Sequence, residues 1–379
     1  MARDGGASYA LGMFEEAVRS HLHADGLDIK SIHAPVRCRA DTPSSADLVT
    51  AVVCSLGKEP RLRRTVESVL NQSHPNVELV VVDNAPATGA VTKLLEGLDD
   101  ERMRIIAEPC PGLSAARNAG VAAARGSIIA FTDDDAFADP DWLRYLIGAF
   151  NDVQDVVAVT GLVVTDELET PAQRFFEEFG GFDKGFERTV WSTQDVVYPG
   201  VPHTIGQRTT LFPYAAGVYG SGNNMAFRAA WLRTTTLFDE ALGAGSITAG
   251  GEDLDAFLTV MLDGKALVYE PSALVRHSPR RSMAALETQL RGYGSGNSAA
   301  ITKHALASPR RALGIFARLP AGLRRMVDPS SEKNERRSQS YPRSLVRCEM
   351  KGFIAGPLLY LRGRREARRR RRAISPGST

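Results

Sequence analysis

Three consecutive carboxylates, Asp133, Asp134 and Asp135, follow directly on the apolar run Ser127-Ile-Ile-Ala-Phe-Thr132. Like charges at one strand end repel unless something positive neutralises them. A hard divalent cation does this well, because carboxylate oxygens are its natural ligands and it can also bridge phosphate oxygens. The plain alternative is a solvated acidic turn, Asp being a common turn residue. The triplet alone leaves both readings open. Other polar residues fall at places from which they could join it. Asp83 ends the run Val77-Glu-Leu-Val-Val-Val, and Glu252-Asp253 follows Gly250-Gly251. An acidic pair in the first turn of a helix complements the dipole and needs no chemistry. The same position favours the ionised carboxylate that a general base requires.

Placing these residues requires a layered frame, and the chain supplies one. Leu48–Cys54, Val77–Asp83, Met103–Ala107, Ser127–Thr132 and Val156–Val164 read as strands. They alternate with helices over Pro60–Asn71, Val91–Leu98, Leu113–Ala124 and Asp139–Phe150. Each strand is a near-continuous apolar run, which indicates an α/β fold: a mostly parallel sheet covered by helices on both faces. Ligands in such sheets bind beyond the carboxyl ends of the strands, so Asp83 and Asp133–Asp135 can share one crevice. After residue 165 the alternation weakens into what reads mainly as loops. It resumes at Gly220–Arg228, at the helix opened by Glu252, at strands Ala266–Tyr269 and Val275–Ser278, and at a long helix from Met283 to Ala307.

The totals fit a globular protein: 379 residues, 43% hydrophobic and 24% charged, with a formal net charge of +2. Cys38, Cys54, Cys110 and Cys348 are widely spaced without a CxxC pair, which argues against structural zinc and a disulfide framework. Met1–Ser8 lacks a signal-peptide core, and no stretch approaches the ~20 apolar residues of a spanning helix. The expectation is a cytoplasmic protein, soluble or peripheral on the inner face of the cell membrane.

Taken together, several segments resemble the family-2 glycosyltransferases of the GT-A fold, over roughly Leu48 to Lys303. They are Val53-Cys-Ser-Leu with Leu62–Ser73, Val80–Asp83, Gly112-Leu-Ser-Ala-Ala-Arg-Asn-Ala-Gly120, Asp133–Trp142, Gly251-Glu-Asp-Leu-Asp255 and His277. The resemblance implies an inverting, hexosyltransferase-like enzyme that uses a nucleotide-sugar and Mn²⁺ or Mg²⁺. It implies that Asp83 binds the nucleotide base, and a carboxylate accepting from a ring N–H suits uracil or guanine; a UDP-sugar is favoured. Arg117 and Asn118 would border the nucleotide, with the Arg offsetting phosphate charge, although by themselves they read as helix surface. Asp133 and Asp134 would lie at the nucleotide-sugar. Asp135, Asp133 and His277 would form the metal shell, where a lone His is otherwise an ordinary surface or hydrogen-bonded residue. Asp253 would take the proton of the acceptor hydroxyl, with Glu252 assisting. Trp191, Gly222 and Asn223 are the candidates for contact with a glycan, lipid-linked or small-molecule acceptor. The aromatic cluster Phe175–Phe186 and Trp231 could likewise stack on sugar, although such residues more often fill a core.

The domain plan expected from this pattern is an N-terminal extension (1–47) with a helix through Tyr9–His23, a nucleotide-sugar half (48–165), an acceptor and catalytic half (166–307) and a helical, basic C-terminal extension (308–379). The apolar stretch Gly352–Leu361 with the Arg-rich run to Arg372 suits an anionic membrane surface; a solvated tail is the bland reading. No aromatic residue interleaves the Arg run, so nucleic acid is not expected as a partner. The competing functions are a nucleotidyltransferase of similar sheet, and a non-catalytic protein binding membrane or nucleic acid through its tail.

Overall fold

Period-two alternation builds the sheet. In β1 (Val49–Ser55), Val49, Ala51 and Val53 enter one core and Val52 the other. After α1 (Leu62–Leu70), β2 (Val77–Asp83) divides the same way, with Leu79 and Val81 opposed to Val80 and Val82. Both faces are buried, which is why these strands read as unbroken apolar runs. The structure is a computed structural model that describes residues 47–152, 155–182, 184–194, 204–235, 237–331 and 333–374. The helix expected over Tyr9–His23 lies outside the described residues, as do His203 and nearly all of the N-terminal extension.

A short α2 (Ala90–Leu94) leads to β3 (Met103–Ala107), and α3 (Leu113–Ala123) to β4 (Ile128–Asp133). Strands β3-β2-β1-β4 run parallel in that spatial order. The chain thus leaves β1 toward β2 on one side and returns at β4 on the other, a topological switch point that opens a crevice beyond the strand ends. Register fixes its rim: Ser55 is level with Asp83, and Cys54 with Asp133.

Four elements after β4 were not legible as such. β5 (Ala136–Ala138) follows the Asp triplet at once; α4 (Trp142–Asp152) and β6 (Val156–Thr165) come next. The stretch expected to be mainly loops holds α5 (Pro171–Glu178), with a capping box of Thr170 and Gln173, and β7 (Thr189–Ser192) with its partner β8 (Thr204–Ile205). β9 (Met225–Arg228) inserts antiparallel between β4 and β6. Helices α6 (Ala229–Thr234) and α7 (Glu252–Leu262) precede β10 (Ala266–His277). The two strands expected near β10 are one strand whose register slips between Glu270 and Leu274, where Pro271 cannot donate to the ladder. The sheet is therefore mixed: parallel through its first half, with antiparallel pairs gathered around β9 and β10. Helices cover both faces, as expected for this class.

Helices α8 (Met283–Ala307), α9 (Pro309–Val327) and α10 (Arg343–Ile374) complete the described chain. α10 lies against α8 so closely that a Cβ at Gly352 would overlap the Arg291 carbonyl, and one at Gly294 the Glu349 carbonyl. The Arg-rich segment is thus the second half of a helix whose first half is docked on α8. All described residues belong to one compact unit, so the boundaries drawn at 165 and 307 fall inside it.

Candidate active site

Gly251 opens α7 with φ of 93°, a conformation that L side chains rarely adopt, and its absent Cβ leaves room for the Gly296 carbonyl of α8. This turn sets Glu252 and Asp253 in the first turn of the helix. Asp253 accepts through Oδ1 from the Leu254 amide (2.8 Å) and through Oδ2 from the Gly222 amide (2.9 Å). Glu252 is buried, and its carboxyl is pushed up to about 7 by desolvation first and by the charge of Asp253 second, against the pull of Arg117.

Arg117 ties the constellation together. On α3 it shares the buried face with Ala116, Gly120 and Val121 and is 2% exposed. Nη1 donates to Glu252 Oε1 at 2.8 Å; Nη2 donates to Asp133 Oδ1 at 3.3 Å and to the Gly222 carbonyl at 3.0 Å. One fixed guanidinium fork thus links the Asp triplet, the acidic pair and the loop that holds Asp253. Both terminal nitrogens of Arg117 are thus engaged by protein acceptors. The Asn118 amide clamps the backbone of Phe238 through both atoms (2.9 Å each).

β5 explains how His277 reaches the triplet. It pairs antiparallel with β10, with Ala136 opposite His277, and the Ser278 amide donates to the Asp135 carbonyl at 3.3 Å. His277 Nε2 consequently stands 3.5 Å from Asp135 Oδ1, both side chains being buried. Burial lowers the imidazole to about 4, so it is neutral and able to ligate, and Nδ1 is buried without a hydrogen-bond partner. A carboxylate oxygen and a neutral imidazole nitrogen converging in this way fit a divalent cation, with Mn²⁺ the softer match of the pair Mn²⁺ and Mg²⁺. Asp133 does not join them. It is turned to Arg117, and among the described residues no group of three or more His, Cys, Asp or Glu side chains is arranged to hold a metal. Of the three residues expected around a metal, Asp135 and His277 therefore stand together and Asp133 stands apart.

Residues 50–209 match the model for glycosyl transferase family 2. This stretch belongs to that family. Glu252, Asp253 and His277 lie beyond it. Over 146 residues the chain is 35% identical to the glucosyl-dolichyl phosphate glucuronosyltransferase of Haloferax volcanii, covering 36% of this chain and 46% of that protein. It is 38% identical over 131 residues to the succinoglycan biosynthesis protein ExoO of Rhizobium meliloti, covering 34% and 37%. It is 27% identical over 263 residues to the pre-mycofactocin glycosyltransferase of Mycobacterium tuberculosis, covering 69% and 49%. The chain thus spans half or less of the length of these relatives. Among solved structures, the mannosyltransferase PcManGT from Pyrobaculum calidifontis, in complex with GDP-Man and Mn²⁺, aligns with 98% of this chain and 86% of its own at 15% identity and a TM-score of 0.46.

The other expected residues of the family-2 site fall into two groups. Asp83 is buried at the end of β2, where Oδ1 accepts from the Ala85 amide at 2.9 Å and so shapes the following turn. Asp134 accepts from Ser55 Oγ at 2.5 Å, and desolvation pushes its carboxyl up to about 7. Neither lines the large cavity of about 1740 Å³ that Asp133, Asp135, Asp253 and His277 line. Trp191, Gly222 and Asn223 do line it, and Trp191 Nε1 is buried there without a hydrogen-bond partner. Trp231 stacks on Phe227 at 5.9 Å within the core, and Phe176 packs edge-on against Phe182; the stacking expected of Trp231 and of the buried Phe176 is corrected to packing. Two residues escaped the sequence reading, Arg280 and Tyr293. Arg280 sets Nη1 3.9 Å from Asp135 Oδ2; Phe182, from the aromatic cluster, meets the His277 ring edge-on at 5.1 Å, and Tyr293 packs behind it. Arg280, three residues after His277, was the one with a usable signal.

Proposed function

We propose that the chain is a metal-dependent, inverting glycosyltransferase that moves a sugar from a nucleotide-diphosphate sugar, UDP favoured, to an acceptor hydroxyl in cell-surface polysaccharide, glycolipid or related glycoconjugate synthesis. The carrying observation is the Arg117 fork, which holds the strand-end carboxylates and the helix-start acidic pair in one constellation on the wall of one cavity. Asp253, anchored by the Gly222 amide and open to the cavity, takes the proton of the acceptor hydroxyl as that oxygen attacks the anomeric carbon. Glu252 positions rather than reacts, since it is engaged by Arg117. Asp135 and His277 would hold the cation, which as a Lewis acid offsets the charge of the departing nucleoside diphosphate. Asp83 is read as the contact of the donor's base and Asp133 as that of its ribose. The exposed basic residues of α10 support attachment to an anionic membrane surface from the cytoplasmic side; no described helix is long and apolar enough to cross a membrane.

Calorimetry with UDP, GDP and dTDP, with and without Mn²⁺, tests this reading. Metal-dependent binding of one nucleotide is expected, lost in Asp135→Ala and kept in Asp253→Asn. The latter loses transfer by about 10²–10⁴-fold, the usual contribution of a positioned base. Absence of nucleotide binding with any metal overturns the assignment.

A further inference from the structure

Helix α9 has two faces. Toward the protein, Ile315, Arg318, Gly322, Arg325 and Met326 line the cavity of the candidate site. Toward solvent, Leu313 (74% exposed), Phe316 (66%), Leu323 (39%) and Val327 (59%) recur at three- and four-residue multiples and form one stripe, with the exposed Pro320 among them. Leu319 takes part in both, lining the cavity while 40% exposed. The helix carries five arginines (310, 311, 318, 324, 325) and no acidic residue. An exposed apolar stripe on a wholly cationic helix is what an in-plane helix at an anionic interface requires. A second copy of the same helix would meet it with like charge.

The Arg-rich end of α10 is a weaker candidate for this role. Arg371 is paired with Glu240 (2.6 Å) and Glu108 (3.2 Å), while Arg370 donates to the carbonyls of Pro111 and Gly245 and pairs with Glu366. Two of its charges therefore hold the helix end to the body.

We infer that α9 docks the protein on an anionic bilayer, its stripe entering the interface while its opposite face walls the cavity, which brings the cavity next to that surface. Resting on the glycosyl-transfer reading, this makes the acceptor a molecule carried by the bilayer, with its head group entering beside Arg318 and Arg325. Co-sedimentation of the full chain with vesicles of phosphatidylcholine, alone or mixed with phosphatidylglycerol, tests the docking without a donor or acceptor. Wild type is expected to pellet with the mixed vesicles only. The variant Leu313→Glu/Phe316→Glu/Leu323→Glu, altered at exposed positions, should partition on the order of a hundredfold less, while melting normally and binding nucleotide as wild type. The variant Arg365→Gln/Arg368→Gln/Arg369→Gln in α10 should keep most of the binding. Wild type that ignores anionic vesicles, a stripe variant that still binds them, or a stripe that instead mediates self-association in sedimentation velocity each overturns the inference. Nucleotide calorimetry on the same samples separates that failure from failure of the transferase reading.

Discussion

Replacing Arg117 with Met should expose how much the site depends on one guanidinium. The side chain is 3% exposed and Glu252 beside it 7%, so removal leaves a carboxylate in a desolvated place without its cation. Breaking a buried pair from one side costs about 3–5 kcal/mol. The hydrogen bond to the Gly222 carbonyl is lost as well. Glu252 has an escape through protonation, since its carboxyl already sits at about 7 and loses the one neighbour that lowers it. The full cost should therefore appear near pH 8 and shrink toward pH 6, where proton uptake relieves the unpaired charge. Guanidinium unfolding at the two pH values, followed by tryptophan fluorescence, measures both numbers. In the double variant Arg117→Met/Glu252→Gln the stranded carboxylate is gone, and the pair should couple by about 1.5 kcal/mol or more. Additive single effects, or a cost independent of pH, would refute the account of Arg117 as a charge hub.

Gly251→Ala should lose about 2 kcal/mol or more, since a residue with φ of 93° is strained there and its methyl meets the Gly296 carbonyl; a melting temperature equal to wild type would show that α7 starts without this constraint. For Glu252 the sign follows from its raised value. The folded state holds the proton more tightly than the unfolded state, so the protein should lose stability as pH rises through about 4.5 to 7 and slightly beyond. Just above pH 6.5 the unfolded His277 still sheds its remaining proton while the folded one is neutral, a smaller slope of opposite sign, and Asp134, also raised to about 7, adds to the loss. Between pH 6.5 and 8 the EDTA-treated protein should lose on the order of 1 kcal/mol, and Glu252→Gln should lose less; an equal slope in both proteins assigns the loss elsewhere.

The first half of the fold was legible because most of its strands are apolar runs buried on both faces, and because β1, β2 and β3 are neighbours in space. β5 was not, for Ala136–Ala138 carries too few residues for a period and gains its partner from a strand far away in sequence. That omission mattered, since β5 is what sets His277 beside Asp135; the sequence suggested the two as metal ligands only through the resemblance. Arg117 was misread for a different reason. Helical propensity suits Arg on an exposed surface, yet the periodicity of α3 puts residue 117 on the face of Ala116, Gly120 and Val121, all buried. A lone charge on the apolar face of a helix of small residues predicts a buried partner, and Glu252 is that partner, 135 residues away.

The placement of that partner also bears on how the chemistry is protected. Glu252 and its neighbour Asp253 both line the cavity, but Glu252 is engaged by Arg117, while the oxygens of Asp253 are ordered by two backbone amides. Adjacent residues in one helical turn point about 100° apart, so a single turn supplies one carboxylate that anchors and one that is free to react. A swap of roles would require the turn at Gly251 to rotate, which the contact with Gly296 forbids. The proposed division of labour between Glu252 and Asp253 thus rests on backbone packing between α7 and α8, and not on any difference in the acidity that two carboxylates would show in water.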